Sequence, residues 1–261
     1  MCELLAISVD PAATLDLLPA FRPRAEGNPS GWGMAWFEDG APRIVKEPVR
    51  ADESERAAAL AAAPPSSSMF IVHVRAATVG ERTVDNTHPF TKRVHGRPWV
   101  FAHNGTVDLD GLETGTHEPD GDTDSERAFH HLLDRIERLG PAPSGAELEE
   151  AVLDGAAELT SRGKANFLLT DGTTLFARYD GWKTMHLLRR AGADIGTVTA
   201  GDDDYRIDLT VGDAADERAT IVASVPLTDE PWEPLAPGTV LVIRAGEVLA
   251  RHEGIAPRAP T

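Results

Sequence analysis

Met1-Cys2-Glu3-Leu4-Leu5-Ala6-Ile7-Ser8-Val9 opens the chain. From Cys2 to Val9 the run is short and mostly apolar with poor alternation, which predicts a buried strand that begins at the terminus itself. Such a strand holds the first residues rigidly, whatever they do. Outward from it, a short helix is expected from Pro11 to Arg24, and Ala25 to Ser30 reads as a loop from its Gly, Asn and Pro content. Gly33-Met34-Ala35-Trp36-Phe37 and Pro42-Arg43-Ile44-Val45-Lys46 then flank Glu38-Asp39-Gly40, whose Asp-Gly pair signals a hairpin turn.

An alanine-rich stretch from Ser54 to Ala63 predicts a helix stopped by Pro64-Pro65, and Met69 to Val74 a buried strand that delivers His73 and Arg75 at its end. Trp99 to Ala102 is a further apolar run, and His103-Asn104-Gly105 after it reads as a polar turn. Asp122-Thr123-Asp124 precedes a helix in which Phe129, Leu132, Leu133, Ile136 and Leu139 share one face, and a second helix is predicted from Ser144 to Leu159. Beyond it come a hairpin from Asn166 to Arg178 around Asp171-Gly172, then strands at Met185 to Leu188, Thr220 to Ser224, Thr239 to Ile243 and Val248 to Arg251. Gly201 to Tyr205 reads as an acidic loop. Strands at both ends with two helices between them predict α+β layers rather than an alternating parallel sheet.

The chain has 261 residues, no internal repeat and no evident linker, so one domain spanning 1–261 is expected. Hydrophobic residues form 41% of it, enough for a core that needs neither disulfides nor a structural metal. A net formal charge of −17 argues against nucleic-acid and anionic-membrane partners and leaves small molecules or proteins. No membrane-spanning stretch or signal peptide is legible, and one cysteine forms no internal disulfide, so a cytoplasmic location is expected.

That cysteine is Cys2. Removal of Met1 would give it a free α-amine beside its own thiol, with ordinary pKa values near 8 and 8.5, so base and nucleophile would share one residue. Alone, the position also fits a cysteine packed as a small hydrophobe. Arg75 suits a bidentate grip on a carboxylate, yet also a surface ion pair. Asn104 and the backbone N–H of Gly105 could hold an oxyanion, or simply make a turn. Asp124 could take a substrate ammonium, or only favour a helix start. As a set, these are the functions needed to open an amide on an α-amino acid.

Met1 to Leu5, His73 to Gly80, Asn86-Thr87-His88-Pro89-Phe90, Phe101 to Gly105 and Gly121 to Glu126 follow one another in an order that resembles the class II glutamine amidotransferases, which are N-terminal nucleophile hydrolases, and most of all their stand-alone YafJ-like branch. The resemblance runs from residue 1 to about 135 and more weakly through Ala223 to Thr228 and Trp232-Glu233. It implies a four-layer αββα sandwich. It also implies Cys2 as nucleophile and, through its amine, as base, with Asn104 and Gly105 as oxyanion hole. Arg75 would bind the substrate carboxylate with Thr78 beside it, and Asp124 would bind the ammonium. The family's Gly-Trp-Gly element matches Gly31-Trp32-Gly33, as a substrate contact or as closely packed strand. Ala76 and Val79 depart from the Trp and His of many members, and no phosphate-binding loop is present.

The expected reaction is hydrolysis of glutamine to glutamate and ammonia, with no cofactor and no metal. Another γ-glutamyl amide or dipeptide as substrate is one alternative, and a glutamine-sensing subunit without activity a second. A synthase or acceptor partner protein, or a purely hydrolytic role, would account for the ammonia. A metal site drawn from His73, His88, His95, His103 and the pair His130-His131 matches no short ligand motif.

Overall fold

The strand that starts at the terminus lies in the middle of a sheet. The structure is a computed structural model that describes residues 2–14, 21–76, 80–108, 110–112, 115, 117–191, 197–202, 205–210 and 218–255, with backbone alone for 197–202 and 205–210. In chain order the strands are β1 (Glu3–Thr14), β2 (Gly31–Glu38), β3 (Ala41–Glu47), β4 (Ser66–Arg75), β5 (Phe90–Val94), β6 (Arg97–Val107), β7 (Gly163–Thr170) and β8 (Thr174–Tyr179). They continue with β9 (His186–Ala191), β10 (Thr197–Asp202), β11 (Tyr205–Thr210), β12 (Arg218–Ala223), β13 (Glu233–Pro234), β14 (Thr239–Arg244) and β15 (Glu247–His252). Helix α1 is Glu55–Ala62, α2 Asp124–Arg138 and α3 Gly145–Ser161, and Arg22–Ala25 forms a 3-10 turn.

One sheet has the order β13-β9-β12-β1-β4-β2-β3 and the other β15-β14-β8-β7-β6-β5, while among the described residues β10 and β11 pair only with each other. Every pairing is antiparallel. Alternation along the strands sorts the core into three seams. Leu4, Ala6, Met69 and Ile71 point from the first sheet onto Val100, Ala102, Leu168, Ala177 and Leu241 of the second. Their neighbours Leu5, Ile7, Phe70, Val72 and Trp32 point the other way, onto Phe21, Ala25 and Ala57. Phe101, Phe167 and Phe176 on the far face of the second sheet meet Phe129, Leu132 and Ile136 of α2 and Leu148 and Val152 of α3. The result is the expected αββα order, with a thin outer layer made by α1 and the 3-10 turn.

Local chemistry explains the element ends. Asp39 and Gly40, with φ of 49° and 74°, form the tight turn between β2 and β3 that the Asp-Gly pair predicts. The side chain of Ser54 accepts from the Ala57 N–H at 3.0 Å and starts α1, and Ser144 with Glu147 forms a capping box at α3. Thr123 caps α2 through the Glu126 N–H at 3.3 Å, while the Glu126 carboxylate accepts from the N–H groups of Asp120 and Gly121. That fixes the loop which presents Asp124.

Three expectations change. The helix from Pro11 to Arg24 is not formed where the structure describes the segment: β1 continues to Thr14, paired with β4 after a break in register between Ser8 and Ala13, and the 3-10 turn follows from Arg22. Pro11 lies within that break, where a missing N–H costs no ladder bond to β4; residues 15–20 lie outside the described part. The acidic stretch from Gly201 to Tyr205 is a hairpin rather than a loop in its described residues, with Asp202 opposite Tyr205. His103-Asn104-Gly105 is not a turn at all. It continues β6, with Asn104 opposite Asn166 and Gly105 opposite Ala165 of β7. The predicted run Trp99 to Ala102 lies in β6, while β5 and the turn that joins it to β6, with His95 and Gly96 at positive φ, have no counterpart in the predicted elements.

Candidate active site

Cys2 sits at the end of the central strand of the first sheet, partly exposed, where register pairing sets Glu3 opposite Val74. Its Sγ accepts from the Ala76 N–H at 3.1 Å, and the thiol faces the Ala76 carbonyl at 3.4 Å. The sheet therefore holds Cys2 against the residue that follows Arg75. From the second sheet, Asn104 Nδ2 donates to the Cys2 carbonyl at 2.7 Å. A primary amide has a second N–H, so the same group can hold the strand and still offer a donor nearby. Lys183 Nζ donates to that carbonyl at 3.1 Å.

Gly105 is a glycine for a measurable reason. A Cβ built on it would lie 1.8 Å from the Lys164 carbonyl oxygen and 2.6 Å from His103 Nε2. Strand β5 pairs β6 only as far as Phe101, so along 102–107 one edge of β6 is not covered by β5. His103 behind this edge is held through Nδ1 by Ser125 at 2.9 Å and through Nε2 by the Lys164 carbonyl at 3.0 Å.

Arg75 is buried and donates from Nη1 to the Glu81 carbonyl at 3.1 Å. Burial pulls its guanidinium below the usual range, opposed by the charges of Cys2, Asp122 and Asp124, which share its surroundings. Asp124 caps the other end of β6, its Oδ2 accepting from the Val107 N–H at 2.9 Å. Gly31 pairs with Arg75 across β2 and β4, and a Cβ there would come within 3.2 Å of both Thr87 side-chain atoms and the Glu47 carbonyl. Trp32 differs: its side chain is packed on the outer face of the sheet with Phe21 and Ala25, which leaves only its backbone facing the strands of the site. Thr78 lies outside the described residues.

The thiol of Cys2 is pushed up by burial, which opposes ionisation. The Ala76 N–H pulls it down most, followed by the cations Lys183 and, more weakly, Arg75. Behind Arg75, His73 and His88 pack ring to ring with centroids 4.3 Å apart. Burial lowers His73 to about 3 and holds His88 well below its ordinary value, so both are neutral at physiological pH. Above pH 6.5 both folded and unfolded chains carry neutral imidazoles and the stability is full; as pH falls below 6.5 the unfolded chain takes up protons that the folded one refuses, until His73 itself titrates near 3. His73 alone should remove about 2 kcal/mol of stability between pH 7.5 and pH 5, and His88 adds to it. Urea unfolding at the two pH values measures this, and equal midpoints would contradict it. Among the described residues no three His, Cys, Asp or Glu side chains converge as metal ligands would. His95 instead contacts the Glu137 carbonyl, and His131 the Glu158 carboxylate.

The motif residues Cys2, Arg75, Asn104, Gly105 and Asp124 thus lie on neighbouring strand ends and one helix start, with Gly31 beside Arg75. Sequence reasoning missed Lys183, in a short loop whose approach to Cys2 depends on two distant strands, and Ser224, whose hydroxyl accepts from the Leu4 N–H at 2.9 Å and whose N–H donates to the Leu4 carbonyl. No local pattern marks Lys183, and Ser224 stands in a resembling block that assigns it no role.

Comparison with known proteins agrees with this arrangement. The putative glutamine amidotransferase YafJ of Escherichia coli is 34% identical over 95% of this chain and 99% of its own. The γ-glutamyl-hercynylcysteine sulfoxide hydrolase of Mycobacterium tuberculosis is 32% identical over 77% of this chain and 78% of its own. A crystal structure described as a predicted glutamine amidotransferase from Pseudomonas aeruginosa superposes with a TM-score of 0.74 at 29% identity, covering 95% of this chain and all of that one. The fold is the four-layer sandwich of the N-terminal nucleophile hydrolases. The sequence model of the family described as class II glutamine amidotransferases matches residues 1–260. This chain belongs to the class II glutamine amidotransferases, a family of amidohydrolase enzymes.

Proposed function

We propose that this chain, as a single catalytic domain over 1–261 in the cytoplasm, hydrolyses the γ-amide of glutamine to glutamate and ammonia. The observation that carries the reading is the meeting of Cys2 with Ala76 on one side and Asn104 on the other, within hydrogen-bond distance of each. After loss of Met1, the α-amine takes the thiol proton and the thiolate attacks the γ-carbonyl. Asn104 and the Gly105 N–H stabilise the oxyanion. The amine returns the proton to the leaving nitrogen, ammonia departs, and water activated by the same amine opens the γ-glutamyl thioester. Arg75 grips the α-carboxylate, a role in which Thr78 shares, and Asp124 with the Gly31-Trp32 backbone receives the α-ammonium. The ammonia passes to an acceptor or synthase partner, or is simply released.

A second reading keeps the same machinery and changes the leaving group to a larger amine, as in a γ-glutamyl dipeptide. The name of the mycobacterial relative and its 32% identity favour it. A panel of glutamine, γ-glutamyl amides and γ-glutamyl dipeptides, scored by released glutamate, separates the two: glutamine should show the highest kcat/KM, and a dipeptide exceeding it would move the assignment to the second reading. Binding of glutamine with no turnover of any member of the panel would leave a glutamine-sensing subunit. Arg75→Ala should raise KM by about 30-fold, the loss of a charge-assisted grip worth ~2 kcal/mol. An unchanged KM would remove Arg75 from the clamp.

A further inference from the structure

Lys183 reaches the nucleophile at the carbonyl that Asn104 also holds, and from a loop rather than from β6. It stands in the loop between β8 and β9, and that loop is built with care. Asp180 accepts from the N–H groups of Ala165 and Trp182 through its two carboxylate oxygens, at 2.5 and 2.7 Å. Asn166 accepts from the Asp180 N–H at 2.8 Å and donates to the Trp182 carbonyl at 2.6 Å. The Tyr179 hydroxyl donates to the Lys183 carbonyl at 2.7 Å. Within this frame Lys183 takes a left-handed φ of 63°, a conformation that costs a residue with a Cβ about 1 kcal/mol and persists where surrounding bonds over-determine it. Its ammonium lies 4.8 Å from the centre of the Trp182 ring, which braces it, and 3.1 Å from the Cys2 carbonyl oxygen.

We propose that Lys183 is a positioning residue for the nucleophile, holding Cys2 by its carbonyl and placing a fixed positive charge beside both its thiol and its α-amine. The inference rests on the reading of Cys2 as an N-terminal nucleophile. A cation held 3.1 Å from the Cys2 carbonyl oxygen favours the thiolate over the thiol and the free amine over the ammonium. Both changes bring the pair toward its reactive form at the same pH. The other charges around Cys2 do not replace this one. Arg75 approaches from β4, but its charge is shared with Asp122 and Asp124, just before and at the start of α2, with Arg82 also nearby. Glu3 on β1 lies near Lys183 and works against it, and His73 and His103 are held towards their neutral forms by burial.

The test uses the Met1-processed full chain with Lys183→Met, Lys183→Gln as a second neutral variant, and Lys183→Arg. Two readouts are taken against pH: the rate of Cys2 alkylation by iodoacetamide and kcat/KM for glutamine. Both neutral variants should melt within a few degrees of the parent, with the alkylation midpoint and the acid limb of kcat/KM moved up by about one pH unit, and Lys183→Arg should restore most of the shift. Profiles unchanged in the neutral variants would overturn the proposal, as would an Arg variant as impaired as the Met variant. Alkylation is read without substrate. A parent protein inactive on every γ-glutamyl compound would therefore overturn the hydrolase reading while the effect of Lys183 on Cys2 is still measured.

Discussion

Cys2→Ala should lower kcat/KM for the preferred γ-glutamyl amide by at least ~1,000-fold while leaving the two sheets intact. The reason for the large loss is that no second group can take over. Cys2 is the one cysteine of the chain, and His73 and His88 are buried and neutral at the side of Arg75 away from any nucleophilic role. The reason for the intact fold is that the thiol makes its described contacts only with the backbone of Ala76, at a strand end, so its loss removes about 1 kcal/mol or less. Glutamate release and far-ultraviolet circular dichroism measure the two parts. Substantial residual turnover in Cys2→Ala would place the chemistry elsewhere.

Gly105→Ala should be the most damaging small substitution in the site, and through structure as much as through chemistry. The new methyl would have to occupy space 1.8 Å from the Lys164 carbonyl oxygen. That oxygen belongs to the facing strand, with Gly105 opposite Ala165 and Thr106 opposite Lys164, so relief requires β6 and β7 to part where β6 brings Asn104 to Cys2. Overpacking against backbone that cannot rotate away should cost ~3 kcal/mol or more. A Tm lowered by several degrees and loss of measurable turnover are the expected results. Gly145→Ala is the matched control. It lies in α3 with nothing within 4 Å of the added Cβ, and should be neutral or slightly stabilising. Equal behaviour of the two variants would mean that β6 and β7 are not held as close as described.

Much of the architecture could be read locally. The Asp39-Gly40 turn, the Ser54 and Ser144 caps and the apolar face of α2 are signals carried within a few residues, and each element stands close to its expected place. The failures are of another kind. His103-Asn104-Gly105 has the composition of a turn, but its backbone is claimed by β7, a strand about 60 residues later, and that pairing outweighs a local preference. The start of the helix expected from Pro11 is overruled in the same way by pairing of Ala13 and Thr14 with β4. In the site, Cys2, Arg75, Asn104, Gly105 and Asp124 stand out as residue types whose chemistry makes sense together and whose order resembles a family. Lys183 does not, because nothing in Gly181-Trp182-Lys183-Thr184 announces a left-handed residue; Asn166 on β7, Tyr179 on β8 and Asp180 just past β8 impose it. Trp32 illustrates the converse: a motif residue whose side chain is committed to the outer core.

The most direct test of an N-terminal cysteine nucleophile is to look for the residue in the act. Intact-protein and peptide mass spectrometry of enzyme quenched in acid during turnover should find chains without Met1 that carry a γ-glutamyl group on Cys2, with no adduct in Cys2→Ala. Steady hydrolysis of the same substrate by protein that retains Met1, or with Cys2 never acylated, would contradict it.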